Sequence, residues 1–318
     1  MPHITIAAKT TSNGSRKARF SGPTELERSQ LTGWRLDQFY THPAVAARCY
    51  ASFVERYDPT VFQLVDPSAG KGVFSDIMLA DRIAIDLDPQ GGNIIRGDFL
   101  TADILSVRPV AFVGNPPFGK NSSAAIAFFN RAARSAQVVA FILPRTACKA
   151  WFVRQLPLDM HLVHEELIPD GAFIANSQVC SVPTVFQIWE RRAALRAMPP
   201  ARTTHPHFEF TDRGKADFEI QRIGMYAGRI RHKSGAADSS LHYIRAHHPG
   251  VEAVMSRIDF SDCTKNNAGN RCVNKEEIVR LYEDLLAGRS GRYRRPLAPL
   301  LPDAPHTCHC CSSDWPFR

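Results

Sequence analysis

The sequence contains no apolar run that approaches the roughly 18 residues needed for a membrane-spanning helix, and its first residues do not form a secretory signal. Its eight cysteines are too sparse for a disulfide scaffold. These absences predict a cytoplasmic protein that is not secreted, keeps its thiols reduced and has no membrane partner.

Two further patterns are missing. No stretch matches the Gly-x-x-x-x-Gly-Lys-Ser/Thr phosphate loop, so the glycine-rich segment at 66–72 is not a loop of that kind. No internal repeat of solenoid length is present, which excludes a repeat architecture.

The composition is that of a folded, mildly basic chain. With 318 residues, 44% of them hydrophobic, the sequence predicts one large α/β domain with a small C-terminal appendage. The formal net charge of +8 suits a polyanionic partner, because Lys and Arg displace counterions from phosphates. Many soluble proteins are equally basic, so the charge by itself does not select a partner.

Short apolar runs alternate with amphipathic segments along most of the chain. Strands are predicted at 62–66, 82–87, 110–114, 138–143, 161–168, 182–190, 208–211 and 218–230. Helices are predicted at 43–57, 73–80, 123–135 and 275–287, with Thr41 and Asn274 as N-caps. This alternation favours βαβ units and a largely parallel sheet.

Four regions follow from these signals. Residues 1–30 are polar and basic, which predicts a flexible arm. Residues 31–195 carry the alternating pattern, and residues 196–287 form a smaller C-terminal segment. Residues 288–318 form a basic tail rich in Cys, His and Pro that is predicted to be disordered. The Cys and His residues of this tail are too crowded for the usual zinc spacing, so no metal site is predicted.

The strongest chemical signal is the run Asn115-Pro116-Pro117-Phe118, directly after the predicted strand at 110–114. Ligands of open α/β sheets bind at the carboxyl ends of strands. An Asn oxygen and a backbone carbonyl can accept hydrogen bonds from an aryl amine, which localises the nitrogen lone pair for attack on a methyl group. Proline fixes its neighbouring carbonyls, and the aromatic ring offers a stacking face. The simpler interpretation is a proline-rich turn with a surface Phe.

Acidic residues and a glycine-rich turn follow two other predicted strands. Small residues after Asp66 would let a ligand approach the backbone, and Asp86 is spaced to accept hydrogen bonds from ribose hydroxyls. Asp98 would bind an adenine amine, with Phe99 beside the ring. Each Asp alone is more often a cap or a turn residue, but the ordered set favours a nucleotide-like ligand. The selected residues are Asp66, Pro67, Ser68, Ala69, Gly70, Gly72, Asp86, Leu87, Asp98 and Phe99.

At these residues the sequence resembles the DNA adenine-N6 methyltransferases, a branch of the amino-methyltransferases. The stretches that carry the resemblance are DQFYT (37–41), DPSAGKG (66–72), IDLD (85–88), GDF (97–99), NPPF (115–118) and PTVFQIWE (183–190). They are similar to motifs X, I, II, III, IV and VIII of that family. Their order is similar to the gamma arrangement, which places target recognition in the C-terminal part.

The resemblance implies a Rossmann-like class I methyltransferase fold. Its sheet would be mixed and seven-stranded, with a reversed final strand and helices on both faces. Residues 31–195 would form the catalytic domain. S-adenosylmethionine would be the cofactor, with S-adenosylhomocysteine as the product and no metal required.

The resemblance also implies roles for single residues. Phe39, Tyr40 and Thr41 would close over the carboxylate of the cofactor, and the residues selected at the other strand ends would hold the rest of it. The target base would be held by the active-site loop, and a further aromatic side chain would stack on it. The residues implied at the base are Asn115, Pro116, Pro117, Phe118 and Phe173.

The implied activity is direct methyl transfer to the N6 amine of an adenine that is flipped out of DNA. DNA is favoured over RNA as the partner. Basic residues of the linker and tail are either non-specific phosphate contacts or solvated surface charge: Arg191, Arg192, Arg196, Arg289, Arg292, Arg294 and Arg295. No nuclease signature is present, so a restriction nuclease of the same bacterial or phage system would be a separate chain.

Three other interpretations stay open. An RNA adenine-N6 methyltransferase would have the same fold, and NPPF with Phe118 occurs in RNA enzymes where many DNA enzymes carry Tyr. A glutamine-methylating enzyme that acts on translation factors would share the planar-amide chemistry. A catalytically silent nucleic-acid-binding module would not need the intact Asn115.

Overall fold

The computed structural model describes residues 39–78, 81–175, 177–199, 201–265 and 271–289. The predicted arm at 1–30 and the predicted tail beyond residue 289 lie outside the described residues. The strands are β1 (Tyr40–Thr41), β2 (Gln63–Asp66), β3 (Ile83–Asp86), β4 (Ile95–Arg96), β5 (Val110–Gly114), β6 (Ala136–Pro144), β7 (Met160–Leu167), β8 (Phe173–Ala175), β9 (Gln178–Cys180), β10 (Thr184–Arg191), β11 (Phe208–Thr211), β12 (Phe218–Gln221), β13 (Ile230–Arg231) and β14 (Leu241–Ala246). The helices are α1 (Pro43–Val54), α2 (Ser123–Ala132), α3 (Ala150–Val153), α4 (Val251–Met255), α5 (Ser261–Lys265) and α6 (Lys275–Leu286). None of the helices in these ranges is both long and apolar enough to cross a membrane.

The largest sheet has seven strands in the order β4-β3-β2-β5-β6-β10-β7. Strands β2 to β6 pair in parallel, whereas β10 lies antiparallel to both β6 and β7. A mixed sheet in this order, with the reversed strand inserted next to the edge, defines a Rossmann-like class I methyltransferase fold. The predicted fold class is therefore confirmed.

The central strands of this sheet are apolar because both of their faces are covered. Every residue of β5 is buried, and in β6 every residue except Gln137 is buried. Trp189 of β10 packs edge-on against Phe129 of α2, with ring centroids 5.5 Å apart. Full burial of a large apolar side chain contributes on the order of 1.5–3 kcal/mol, so such rings fix α2 to the sheet.

Helix α1 begins after a different cap from the predicted one. Its N-cap is His42, whose Nδ1 accepts a hydrogen bond from the Ala44 amide at 3.3 Å. The prediction of Thr41 as the N-cap is wrong. Thr41 lies in β1, and its hydroxyl accepts a hydrogen bond from Asn115. The side chain that could have capped the helix is thus directed into the cavity described below.

The prediction of a helix at 73–80 is wrong for the residues that the structure describes, 73–78. Residues Ser75–Ile77 form one turn of 3-10 helix. Gly72, just before it, has a φ of +91°, outside the right-handed helical region. The Ser75 hydroxyl donates to the Gly72 carbonyl at 3.1 Å. Local side-chain hydrogen bonds of this kind compete with a regular helix.

The C-terminal part of the chain folds around a second sheet. Four antiparallel strands lie in the order β11-β14-β12-β13, and helices α4 and α6 contribute buried side chains to their own apolar cluster. Asn274 is confirmed as the N-cap of α6, where it forms a reciprocal capping box with Glu277. The predicted strand at 218–230 is interrupted: β12 ends at Gln221, and the chain returns as β13 only at Ile230.

A buried ion pair joins the two parts of the chain. Lys149, just before α3, has its Nζ 3.0 Å from Glu277 Oε1, and the two side chains are 3% and 6% exposed. Arg154 pairs with Glu276 beside them. Because removing one partner of a buried pair leaves an uncompensated charge, this contact makes the stability of one part depend on the other.

Candidate active site

A cavity, here called the sheet-edge cavity, lies at the carboxyl ends of β2, β3 and β5. This is the edge at which open α/β sheets bind ligands. The cavity brings together most of the residues selected from the sequence: Phe39, Tyr40, Thr41, Asp66, Pro67, Ser68, Ala69, Gly70, Asp86, Leu87, Phe99, Asn115, Pro116, Pro117 and Phe118. Gly72, Asp98 and Phe173 do not line it.

Asn115 has a fixed orientation in this cavity. Its Nδ2 donates to the Phe39 carbonyl at 3.2 Å and to the Thr41 hydroxyl at 3.1 Å. A main-chain carbonyl can only accept, so the nitrogen must be the atom that faces Phe39. Asn115 Oδ1 is buried and has no hydrogen-bond partner among the described residues. An unpaired buried acceptor costs about 1–3 kcal/mol, which a ligand donating to this oxygen would recover.

The loop that carries Asn115 is held at both ends. The Ser68 hydroxyl donates to the Asn115 carbonyl at 3.0 Å. The Phe118 carbonyl accepts a hydrogen bond from the Ala124 amide at 3.1 Å, near the start of α2. Gly119 has a φ of +67°, and a Cβ at this position would lie only 2.8 Å from the Ala124 Cβ. The glycine therefore permits the turn into α2, while the two prolines stiffen the loop.

Asp66, the last residue of β2, is a buried acid that is 1% exposed. Burial raises the pKa of its carboxyl to about 7, and the nearby carboxylate of Asp86 adds to the rise. The Ser68 amide donates to Asp66 Oδ1 at 3.3 Å and opposes that shift. Gly114 leaves room for this carboxyl, since a Cβ there would lie 2.7 Å from Oδ1. A cation bound beside Asp66 would favour its ionised form.

Asp86, at the end of β3, organises the glycine-rich turn. Its Oδ2 accepts from the Gly70 amide at 2.7 Å, and its Oδ1 accepts from the Asp88 amide at 2.8 Å. Gly70 has a φ of +52°, and a Cβ on it would lie 3.1 Å from the Tyr40 ring. The Lys71 ammonium lies 4.5 Å from the centroid of that same ring. The turn and Tyr40 thus pack together at one wall of the cavity.

Aromatic side chains form an apolar wall of the cavity. Phe99 is 2% exposed, and its ring centroid lies 5.4 Å from those of Phe112 and Phe128. Asp98 is placed differently, because its Oδ1 accepts a hydrogen bond from the Leu100 amide at 2.9 Å and caps a turn. Of this predicted pair, the structure places only the Phe99 ring among the lining residues.

Phe173 lies in the hydrophobic core. It is fully buried, and it pairs with Thr41 where β8 runs antiparallel to β1. Strand β9 completes this three-stranded sheet, and the His42 amide donates to the Ala172 carbonyl at 2.9 Å. The sheet therefore holds residues 39–41 at the cavity. The stacking role implied for Phe173 stays a prediction, and it would require the buried ring to move.

Six lining residues were not selected from the sequence: Lys71, Val73, Phe74, Asp88, Gly97 and Phe128. Lys71, Asp88 and Gly97 stand inside the motif stretches, so their position alone was a usable signal. The three apolar residues carried no such signal, because an apolar side chain in a cavity wall follows the same pattern as one in the core.

Comparison with known proteins gives weak similarities. No protein-family model matches the chain. PH1948 from Pyrococcus horikoshii, an RNA methyltransferase candidate, is 16% identical with a TM-score of 0.38, over 49% of this chain and 87% of that one. The 23S rRNA methyltransferase ErmE is 20% identical with a TM-score of 0.35, over 52% and 73% of the two chains. Protein 1320 from Thermoplasma acidophilum is 16% identical with a TM-score of 0.36, over 50% and 93%. At these identities and TM-scores the similarities do not identify an activity or a substrate.

Proposed function

We propose that this protein transfers a methyl group from S-adenosylmethionine to the exocyclic N6 amine of adenine in nucleic acid, with DNA as the substrate. The observation that carries the proposal is the buried, unpartnered Oδ1 of Asn115, a residue that lines the sheet-edge cavity. An amine is the complementary donor, and its nitrogen is the atom to be methylated. The position of the cavity on a class I methyltransferase sheet supports the same function.

The residues around the glycine-rich turn fit the cofactor. Gly70 has positive φ and no side chain, so a ligand can approach the backbone closely. Asp86 would accept hydrogen bonds from ribose hydroxyls, because each of its oxygens has a second lone pair beyond the one used by a backbone amide. Asp66, Asp86 and Asp88 give this wall the acidic character that suits a sulfonium cation.

The remaining lining residues fit the two ends of the cofactor. Phe99 would flank its adenine ring, and Tyr40 and Thr41 would lie near its amino-acid end. When bound, the cofactor would supply an electrophilic methyl group.

Asn115 would act on the target amine. The lone pair of an aryl amine is delocalised into the ring, which makes the nitrogen a poor nucleophile. An acceptor such as Asn115 Oδ1 favours a pyramidal nitrogen with a localised lone pair, so it stabilises the transition state more than the ground state. Phe118, which also lines the cavity, would offer its ring to the target base.

An adenine in duplex DNA can reach this cavity only by leaving the base stack, at a cost of a few kcal/mol. Residues 31–195 would form the catalytic domain, and residues 196–287 would contact the nucleic acid outside the cavity. RNA adenine is the second candidate substrate, because Phe118 at the fourth loop position is shared with RNA enzymes.

The test is methyl transfer from radiolabelled cofactor to unmethylated plasmid DNA, total RNA and a protein extract in parallel. Wild type is compared with Asn115→Ala, and cofactor affinity is measured for both by calorimetry. We expect label in DNA, its loss in Asn115→Ala, and a similar cofactor affinity in the two proteins. Label in RNA alone would move the substrate to the second candidate. Label in protein alone, or in none of the three, would contradict the proposal.

A further inference from the structure

A second concave surface lies in the C-terminal part, between the loop that joins β12 to β13 and the segment that contains α4 and α5. Its lining is mixed, with apolar side chains such as Met225, Met255 and Phe260 beside polar ones such as Ser261 and Thr264. The exposed side chains of Arg229 and Arg271 also line it, and no acidic side chain does so among the described residues. We call this surface the arginine groove.

An exposed aromatic ring lies in the loop beside the groove. Tyr226 is 54% exposed, although Tyr side chains are usually at least half buried. The guanidinium carbons of Arg229 and Arg231 lie 5.6 and 5.8 Å from its ring centroid. Cation–π attraction holds such groups together. The loop therefore presents a ring with two positive charges next to it.

The loop that presents Tyr226 has a defined conformation. Gly224 and Gly228 have φ values of +100° and +91°, which favour glycine. A Cβ on Gly228 would lie 2.6 Å from the Phe260 side chain, so the loop packs tightly on the groove wall. The Gly228 amide donates to the Gln221 carbonyl at 2.7 Å. The exposure of Tyr226 thus results from a packed turn.

The arginines of the groove differ from those of the linker. Arg229 and Arg271 form no ion pair with another described residue. In the linker, Arg191 pairs with Asp159, and Arg196 donates to three main-chain carbonyls at 2.7, 2.9 and 3.1 Å. Arg191 and Arg196 are therefore committed to structure, and Arg192 lies 3.9 Å from Glu190, whereas the groove arginines have no carboxylate partner among the described residues.

We propose that the arginine groove and Tyr226 bind single-stranded nucleic acid. A base would stack on the Tyr226 ring in place of a guanidinium that now lies over it, and the adjoining phosphates would lie beside Arg229 and Arg271. This combination fits the ligand because every base has a π-face and every phosphate carries a negative charge. DNA and RNA share this chemistry. The inference rests on the proposed function, since it gives the substrate strand a place outside the sheet-edge cavity.

The test is fluorescence anisotropy of the full-length protein with labelled single strands of about 12 nucleotides, one DNA and one RNA. Tyr226→Ala should weaken binding by about fivefold or more, because it removes a stacking face. Tyr226→Phe keeps the ring and should bind like wild type. Arg271→Ala should reduce the slope of log affinity against log salt by about 0.7, the value for one lost phosphate contact on a single strand.

The matched control is Arg134→Ala, which removes one exposed arginine from the main domain and should leave binding unchanged. Equal binding by wild type, Tyr226→Ala and Arg271→Ala would overturn the inference. So would an equal loss in Arg134→Ala, because net charge would then explain the effect. The groove prefers the single strand, DNA or RNA, whose affinity falls more in the groove variants.

Methyl-transfer assays separate this inference from the proposed function. Suppose that the groove variants bind the single strand more weakly and that wild type transfers no methyl group to nucleic acid. This result would support binding at the groove and contradict the proposed activity. Transfer to nucleic acid that depends on Asn115, with unchanged strand binding by the groove variants, would support the proposed activity and contradict binding at the groove.

Discussion

The sheet-edge cavity and the arginine groove carry opposite charge. The sheet-edge cavity is lined by Asp66, Asp86 and Asp88, which suit a cation, whereas the arginine groove is lined by Arg229 and Arg271, which suit an anion. The formal net charge of +8 describes neither surface. The distribution of charge, and not its sum, would let this chain hold the proposed cationic cofactor and the proposed polyanion in separate places.

The two surfaces also differ in construction. The cavity is assembled from the ends of three strands and a distant N-terminal segment, and its polar groups are buried or hydrogen-bonded. The groove lies between a loop and the segment that contains α4 and α5, and its charged side chains, Arg229 and Arg271, are exposed. Substitutions in the cavity should therefore alter chemistry and stability, and substitutions in the groove should alter binding alone.

The largest effect is expected on stability, at the ion pair between Lys149 and Glu277. This pair joins the part of the chain with the cavity to the part with the groove. Lys149→Met leaves Glu277 buried without its partner and should lower the free energy of unfolding by about 3–5 kcal/mol. Adding Glu277→Gln, which keeps an acceptor for the capping box, should restore part of the loss. Urea unfolding measures both variants. A change below about 1 kcal/mol in Lys149→Met would show that the two parts are stabilised independently.

The second-largest effect is expected on the rate of methyl transfer and not on the affinity for a single strand. Asn115→Ala removes the unpartnered oxygen and should slow methyl transfer by about 100- to 1000-fold, the usual cost of losing one transition-state hydrogen-bonding group. Binding of a single strand should stay unchanged. Single-turnover kinetics test this, with Asn130→Ala in α2 as the matched control, because Asn130 also has a buried Oδ1 without a partner but does not line the cavity. Equal slowing by the two substitutions would argue against a specific role for Asn115.

A third effect concerns the pH dependence of stability that Asp66 contributes at the cavity. The folded protein raises the pKa of Asp66 to about 7, so it retains a proton that the unfolded chain loses near pH 4. This contribution to stability is fully present below about pH 4 and is lost as the pH rises toward 7, by about 2–4 kcal/mol in total.

Urea unfolding of wild type and Asp66→Asn at a series of pH values checks this prediction. The difference between the two proteins isolates the Asp66 contribution from the other titrating groups. We expect the stability of wild type to fall relative to that of the variant between pH 4 and 7. Parallel profiles would contradict the assignment of a raised pKa to Asp66.

The smallest effect tests how Asn115 is oriented. Thr41→Val keeps the side-chain shape but removes the hydroxyl that accepts from Asn115 Nδ2. A hydrogen bond of this kind contributes about 0.5–1.5 kcal/mol, so kcat should fall by about 2- to 10-fold with little change in KM for the cofactor. Thr41→Ser should restore kcat. A rise in KM without a fall in kcat would instead indicate that Thr41 binds the cofactor.

The sequence predicted the cavity better than the groove for a physical reason. Residues such as Asp66, Asp86 and Asn115 stand directly after apolar strands, and parallel strands end at one edge of a sheet. Residue type and spacing were therefore sufficient to predict that these residues lie close together. The orientation of Asn115 was not predictable, because it depends on the Phe39 carbonyl, which is 76 positions away in the sequence.

The groove was missed because its loop has the composition of a strand. Residues 218–230 are rich in apolar and aromatic side chains and were predicted as one strand. Gly224 and Gly228 interrupt that strand with positive φ, and nothing in the local pattern distinguished them from strand glycines. The linker arginines were the more obvious candidates for phosphate contact, and only their partners in three dimensions show that they are occupied.

The most direct test of the central claim is the position of the transferred methyl group. Nucleic acid treated with wild-type protein and cofactor is digested to nucleosides, and the products are separated and identified by mass spectrometry against standards. Because the proposed role of Asn115 Oδ1 is to hold an exocyclic amine, we predict N6-methyladenine that is absent after treatment with Asn115→Ala. A methyl group on a ring nitrogen or on carbon 5 of cytosine would contradict the account.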